Sequence, residues 1–255
     1  MTEATTEDGF LNGRLTLRQP ARGFRAGMDA VLLAAATPAM AGERVLDLGC
    51  GVGTAALCLG ARVPDLALTG LERAPALAAL ARENAARNAL PLDVVEGDIA
   101  ALPASLRALG FDHVIANPPF HDPSARSPAP DASREAALAA DRPLADWIAA
   151  ARARTASGGT LTLMLSAARL DAALAALAAA RGASEVLPLA PRPGRAAHRV
   201  LIRWRKGAGA ALTLWPPVIL HPGSRHAADA PDHAPRIEAV MRGAAPFPWP
   251  GPEAR

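Results

Sequence analysis

The sequence predicts an α/β fold: a mostly parallel, seven-stranded sheet with helices on both faces and an antiparallel hairpin closing one edge. Three observations predict it. From Arg44 onward, short apolar runs alternate with longer Ala/Leu-rich segments, as strands do when helical crossovers connect them. One of those runs, Val45-Leu46-Asp47-Leu48, feeds directly into a glycine-rich turn and then a helical stretch. After Gly182 the alternation stops, and two strand-like stretches flank a Pro/Gly turn at Pro191–Gly194 with no helix between them, the mark of an antiparallel pair.

Taken in order, Phe10–Leu17 is expected as a small strand, and Met28–Ala36 as a helix turning Val31, Leu32 and Leu33 inward. The sheet strands are Arg44–Leu48, Ala67–Leu71, Leu92–Val95, Phe111–Ala116, Thr160–Leu165, Ser184–Leu189 and Ala197–Arg205. Thr54–Ala61, Ala74–Asn88, Leu144–Thr155 and Ala167–Ala180 read as helices, the second ending near an asparagine and the last just before Gly182, both residues suited to helix ends. The proline-rich tail adds a strand at Ala211–Trp215 and a short helix near Arg236–Arg242. The chain thus divides into an N-terminal strand and helix (1–40), a central α/β domain (41–206) and a C-terminal extension (207–255) packed on the same domain.

Composition excludes several classes. A formal charge of +3 is too small to mark a polybasic protein, so charge alone does not argue for nucleic acid. The two cysteines, Cys50 and Cys58, form no CxxC pair and have no histidine at ligand spacing, so neither a disulfide framework nor a metal is expected. The first apolar stretch, Ala30–Ala36, is too short and too late for a signal peptide or membrane span, which points to a cytoplasmic protein with no membrane partner.

The glycine-rich turn carries Gly49, Gly51 and Gly53, with Thr54 where a dinucleotide fingerprint would need its third glycine, so the spacing argues against NAD. Such a turn brings backbone amides close to a ligand. Glu72 ends the second sheet strand, where a carboxylate can accept both hydroxyls of a ribose lying across the strand tips. Asp98 and Ile99 follow the third strand, placed to take an adenine amino group and to pack on its ring. Asp47, Glu72 and Asp98, at three successive strand ends, outline one nucleoside. Together Asp47-x-Gly49-x-Gly51-x-Gly53, Glu72 and Asp98 resemble the cofactor motifs of class I S-adenosylmethionine-dependent methyltransferases, a Rossmann-like fold. The resemblance implies S-adenosyl-L-methionine as cofactor, with the glycine turn beside its methionine portion, Glu72 at the ribose and Asp98 at the adenine.

The fourth strand ends in Asn117-Pro118-Pro119-Phe120. An exocyclic amine on an aromatic ring is a poor nucleophile, because its lone pair is delocalised into the ring. Two acceptors aimed at its two hydrogens draw it toward a tetrahedral, nucleophilic shape. The Asn117 side-chain oxygen and the Pro118 carbonyl can be those acceptors, while the prolines fix φ and remove competing N–H donors. Phe120 is expected to stack on the base. The tetrapeptide resembles the amino-methyltransferase signature, whose substrates are adenine N6, guanine N2 and the glutamine amide nitrogen of proteins.

The wider chain is similar to the small-domain methyltransferases, and most closely to the bacterial tRNA adenine-N6 methyltransferases that modify adenosine 37 of a valine tRNA. The resemblance rests on residues 23–34, the glycine turn, the Asn-Pro-Pro-Phe site and the stretch Arg195–Arg203. It implies tRNA as substrate and places Asp29 near the methionine end of the cofactor, although Asp29 equally suits a helix cap. Phe120 stands where that group often has tyrosine, and with His121 it makes a string that also resembles guanine-N2 ribosomal RNA methyltransferases. Those enzymes usually carry a duplicated N-terminal domain, for which the 43 residues before the first sheet strand are too few. Strand alternation puts Arg199, Arg203 and Arg205 on one face of the hairpin, where they suit phosphate contact or protection of an exposed edge. The loop from His121 to Arg142 is expected to close over a flipped-out base.

Overall fold

The computed structural model describes residues 4–23, 25–119, 142–223, 232–243 and 245–250. Its core is a nine-stranded sheet. In chain order the strands among the described residues are β1 (Thr5–Phe10), β2 (Leu15–Pro20), β3 (Arg44–Leu48), β4 (Ala67–Glu72), β5 (Leu92–Glu96), β6 (Phe111–Ala116), β7 (Thr155–Ser166), β8 (Gly182–Ala190), β9 (Arg199–Lys206), β10 (Thr213–Leu214) and β11 (Val218–Ile219). The spatial order is β10-β8-β9-β7-β6-β3-β4-β5, with β11 also on β8 and β1-β2 forming a separate hairpin. Every sheet pairing is parallel except those of β9, which runs antiparallel to both β7 and β8. All seven expected strands are present. β10 lies within the strand expected at Ala211–Trp215, though it is only two residues long, and β11, also of two residues, is too short for any periodicity to betray it.

The helices among the described residues are α1 (Met28–Ala36), α2 (Thr54–Arg62), α3 (Pro75–Arg87), α4 (Ala104–Arg107), α5 (Leu144–Arg154), α6 (Leu170–Ala178) and α7 (Pro235–Met241). Strand alternation divides the core between the two sheet faces. On one, Val45, Ile115, Met164, Leu187 and Leu201 pack with α1, α2, the β1-β2 hairpin and Ile237, Val240 and Phe247 of the tail. On the other, Leu46, Val114, Leu163, Ile202 and Trp204 pack with α5 and α6.

Two expectations are corrected. Phe10–Leu17 is not one strand: Leu11, Asn12 and Gly13 all adopt positive φ, and Phe10 pairs with Leu15 across the turn. Asn12-Gly13 is a reverse-turn dipeptide, and the apolar alternation ran across it. The helix expected over Ala167–Ala180 begins as a 3₁₀ turn, Ala167–Arg169, before α6 takes over at Leu170.

The hairpin is fixed to α3 by two asparagines one helical turn apart. Asn84 and Asn88 each accept from and donate to the backbone of β2, at Arg18 and Thr16 respectively, over 2.7–3.0 Å. They present amide groups to the strand edge much as a neighbouring strand would. Asn84, fully buried, also donates to the Val52 carbonyl at 3.0 Å. One side chain thereby joins the hairpin to the glycine turn.

Candidate active site at the carboxyl edge of the sheet

The glycine turn is built on left-handed backbone. Gly49, Gly51 and Gly53 have φ of 69°, 57° and 86°, a region that side chains with a Cβ enter only at a cost. Gly49 N–H and Cys50 N–H both donate to the Leu71 carbonyl, at 2.8 and 3.0 Å, tying the turn to the end of β4. Gly53 is the N-cap of α2. The three glycines differ in what surrounds them. A Cβ on Gly49 would stand 2.5 Å from the Trp147 ring, and one on Gly53 would stand 3.1 Å from Leu92, whereas one on Gly51 would meet no atom within 4 Å.

Glu72 is buried and braces this turn from the tip of β4. Its Oε2 accepts from Gly51 N–H at 2.9 Å, and its Oε1 accepts from Ala74 N–H at 2.8 Å. Asp98, beyond the end of β5, accepts from Ala100 N–H at 2.8 Å and from Arg142 at 3.1 Å. The Ala100 N–H, helped by Arg142 and Arg73, holds its carboxyl below the ordinary range. Ile99 is partly buried beside it against the second core.

Asp47 is the opposite case. Burial pushes its carboxyl up to about 7, with repulsion from Glu72 adding to the effect and a 3.2 Å hydrogen bond from Ala56 N–H opposing it. Between the ordinary carboxylate range and pH 7 the folded protein therefore holds a proton that the unfolded chain has released. Stability falls as pH rises across that window and is level above it, by on the order of 4 kcal/mol for a shift of this size. Asp47→Asn, a neutral isostere that still accepts from Ala56, is expected to flatten this slope in melting temperatures recorded from pH 4.5 to 7.5.

These elements converge on one pocket, lined by Gln19, Ala26, Ala30, Asp47, Gly49, Cys50, Gly51, Val52, Thr54, Ala55, Leu77 and Asn117. Asn117 enters from the tip of β6, which pairs directly with β3 (Leu48↔Ala116). Its Oδ1 is buried and has no hydrogen-bond partner among the described residues, and Thr54 Oγ1 is in the same condition. Pro118 is buried and Pro119 exposed. Phe120 and the loop to Asp141 lie outside the described residues. Of the expected site residues, Asp47, Gly49, Gly51 and Asn117 thus share a pocket, while Gly53 and Glu72 support it from behind. Asp98 and Ile99 stand farther along the strand tips. Asp29 neither caps α1, whose N-cap is Gly27 without a side-chain bond, nor lines the pocket as its neighbours Ala26 and Ala30 do. Its carboxylate lies 2.7 and 2.8 Å from Nε of Arg199.

Gln19 was not anticipated. It is buried, accepts from Ala26 N–H at 2.8 Å and donates to Ala26 O and to Asp8, so it clamps the segment after the hairpin against the pocket. The one signal was its place in β2, a polar residue on the face that also carries Leu15 and Leu17.

Each of the hairpin arginines has a partner within the molecule. Arg199 pairs with Asp29. Arg203 donates to the Ala36 carbonyl and stacks 3.9 Å from the centre of the Trp249 ring, and burial lowers its guanidinium to about 10. Arg205 donates to Gly158 O, and Arg192 pairs with Asp232 at 2.7 Å. Among the described residues no group of His, Cys, Asp and Glu is arranged to hold a metal ion, and no helix is long and apolar enough to cross a membrane.

Residues 26–172 match the methyltransferase small domain family. The chain is 33% identical over 232 residues to a tRNA1(Val) (adenine(37)-N6)-methyltransferase of Porphyromonas gingivalis, a match that covers 85% of this chain and 89% of the relative. It is 32% identical over 176 residues to a release factor glutamine methyltransferase of Deinococcus radiodurans, over 65% of this chain and 59% of that protein. Among solved structures, a predicted O-methyltransferase from Agrobacterium tumefaciens superposes with a TM-score of 0.68 at 30% identity, covering 86% of this chain and 98% of that one. With the glycine turn and the Asn-Pro-Pro turn opening on one pocket, the chain belongs to the methyltransferase small domain family, alongside the tRNA1(Val) adenine-N6 enzymes, and is an S-adenosylmethionine-dependent N-methyltransferase.

Proposed function

We propose that this enzyme methylates the N6 amino group of an adenine in tRNA, in the cytoplasm. The observation that carries the proposal is the buried Asn117 Oδ1 beside the glycine turn, which has no hydrogen-bond partner among the described residues. An acceptor left without a donor in a folded protein is costly, and an exocyclic NH2 supplies the missing hydrogen. The similarity to the tRNA1(Val) enzyme over most of both chains supports adenine as the base.

The residues present fit the cofactor. Gly51 leaves open space where any Cβ would intrude, Thr54, whose Oγ1 has no partner among the described residues, lines the same pocket, and Asp47 offers a carboxyl whose ionised form a cation would favour. Asp47, Gly49, Gly51 and Gly53 would flank the methionine portion, with Asp29 behind it on α1. Glu72 would hold the ribose, Asp98 the adenine amino group and Ile99 the ring. When bound, S-adenosylmethionine supplies an electrophilic sulfonium methyl.

The protein's own contribution is alignment. Asn117 Oδ1 and the Pro118 carbonyl accept the two amine hydrogens and concentrate the lone pair on nitrogen, and Phe120 stacks on the base. Placement of that nitrogen in line with the methyl supplies the rest of the catalysis. No strong base is needed, because the proton becomes acidic once the methyl has moved.

The test is to incubate the purified protein with bulk tRNA and methyl-labelled S-adenosylmethionine, then to identify the labelled nucleoside by mass spectrometry. N6-methyladenosine is expected. Labelled N2-methylguanosine, or label found only in protein glutamine, would overturn the adenine assignment.

A further inference from the structure

The turn that presents Asn117 and Pro118 is held from a neighbouring strand. β6 and β7 pair in register up to Ala116↔Leu163, but β7 continues to Ser166 alongside β9. At about 3.3 Å per residue, these three residues carry the end of β7 roughly 10 Å past the end of β6. The 3₁₀ turn Ala167–Arg169 sits on this overhang, fastened by Ala167 N–H to the His198 carbonyl at 2.9 Å. From it the Arg169 guanidinium donates through Nη1 to the carbonyl of Pro119.

The bond acts on one of the two torsions that the prolines leave free, ψ of Pro119; the other is ψ of Pro118. Their rings fix φ and remove the N–H groups that would otherwise tie the turn to its surroundings, but ψ of Pro119 is not set by its ring. A cation fixed on the Pro119 carbonyl selects one value of ψ. The turn is thereby anchored at both ends, by β6 before Asn117 and by Arg169 at Pro119, which limits the rotation open to the Pro118 carbonyl between them.

We propose that Arg169 is a positioning residue for methyl transfer, holding the Pro119 carbonyl so that Asn117 Oδ1 and the Pro118 carbonyl stay aimed at the amine. This rests on the assignment of those two oxygens as the amine acceptors. Arg169 does not touch the reacting atoms, so its loss acts on turnover and leaves the binding of both substrates intact.

The experiment compares full-length Arg169→Ala and Arg169→Lys with the parent enzyme, using tRNA as methyl acceptor. In Arg169→Ala, kcat is expected to fall at least about tenfold, since misplacement by an ångström costs up to about a hundredfold. The KM for tRNA, its salt dependence and the affinity for S-adenosylhomocysteine are expected to stay within about twofold. Arg169→Lys, whose ammonium reaches the same carbonyl, is expected to recover most of the rate. An unchanged kcat in Arg169→Ala would overturn the proposal. So would a loss confined to the KM for tRNA with a shallower salt dependence, which would mark a phosphate contact instead. If the alanine variant does not fold, Arg169→Met keeps the aliphatic stem and decides by the same criteria. If the parent enzyme methylates guanine or a glutamine amide, the adenine assignment fails, and the kcat contrast measured on that product still decides the role of Arg169.

Discussion

Asn117→Ala is expected to lower the rate of methyl transfer by about 10²–10³-fold while leaving the affinity for S-adenosylhomocysteine within about twofold. Removing one preorganised acceptor or donor at a reacting centre typically has an effect of this size. Its Oδ1 makes no hydrogen bond among the described residues, so removal of that oxygen breaks none there and leaves the hydrogen bonds of the glycine turn, Glu72 and Asp47 in place. Folding stability is expected to stay level or rise slightly, because a buried polar atom without a partner is removed. The check is a pair of measurements on one preparation, a titration with S-adenosylhomocysteine and a single-turnover transfer of labelled methyl. Full turnover by the alanine variant would refute the acceptor role.

Gly49→Ala is expected to be the most damaging single change to the fold of the site, lowering stability by about 2–5 kcal/mol. Two effects add: a left-handed φ costs a residue with a Cβ about 1–2 kcal/mol, and overpacking a filled site costs about 1–3 kcal/mol more. The second arises here because the new Cβ would stand 2.5 Å from Cη2 and 2.8 Å from Cζ3 of Trp147, the ring that α5 lays against the turn. Gly51→Ala is the control. Its φ is also positive, but its Cβ meets nothing within 4 Å, so it should incur only the backbone penalty and report instead as weakened cofactor binding. Denaturant melts and cofactor titrations on the two variants separate the effects. Equal destabilisation by both would mean that the indole yields freely.

The sequence by itself determined the order of the seven main sheet strands and of the four helices expected between them, and the positions of the glycine and Asn-Pro-Pro turns. A buried strand, a glycine turn and a helix follow one another along the chain, as do β6 and Asn117-Pro118-Pro119, so local patterning was enough to locate them. It also carried the acidic series Asp47, Glu72 and Asp98, because successive parallel strands bring their carboxyl ends to one edge. What the tertiary structure alone decided is which of these groups meet, and which are held by something else. Arg199 reads as a surface cation until Asp29, 170 residues away, is brought against it. Asn84 reads as an ordinary helix residue until β2, 66 residues earlier, is laid along its face. Gln19, Trp147 and Arg169 take their roles from neighbours on other elements in the same way. Secondary structure is written in the spacing of nearby residues. A side chain's partner is set by how distant elements pack, and no local period records that.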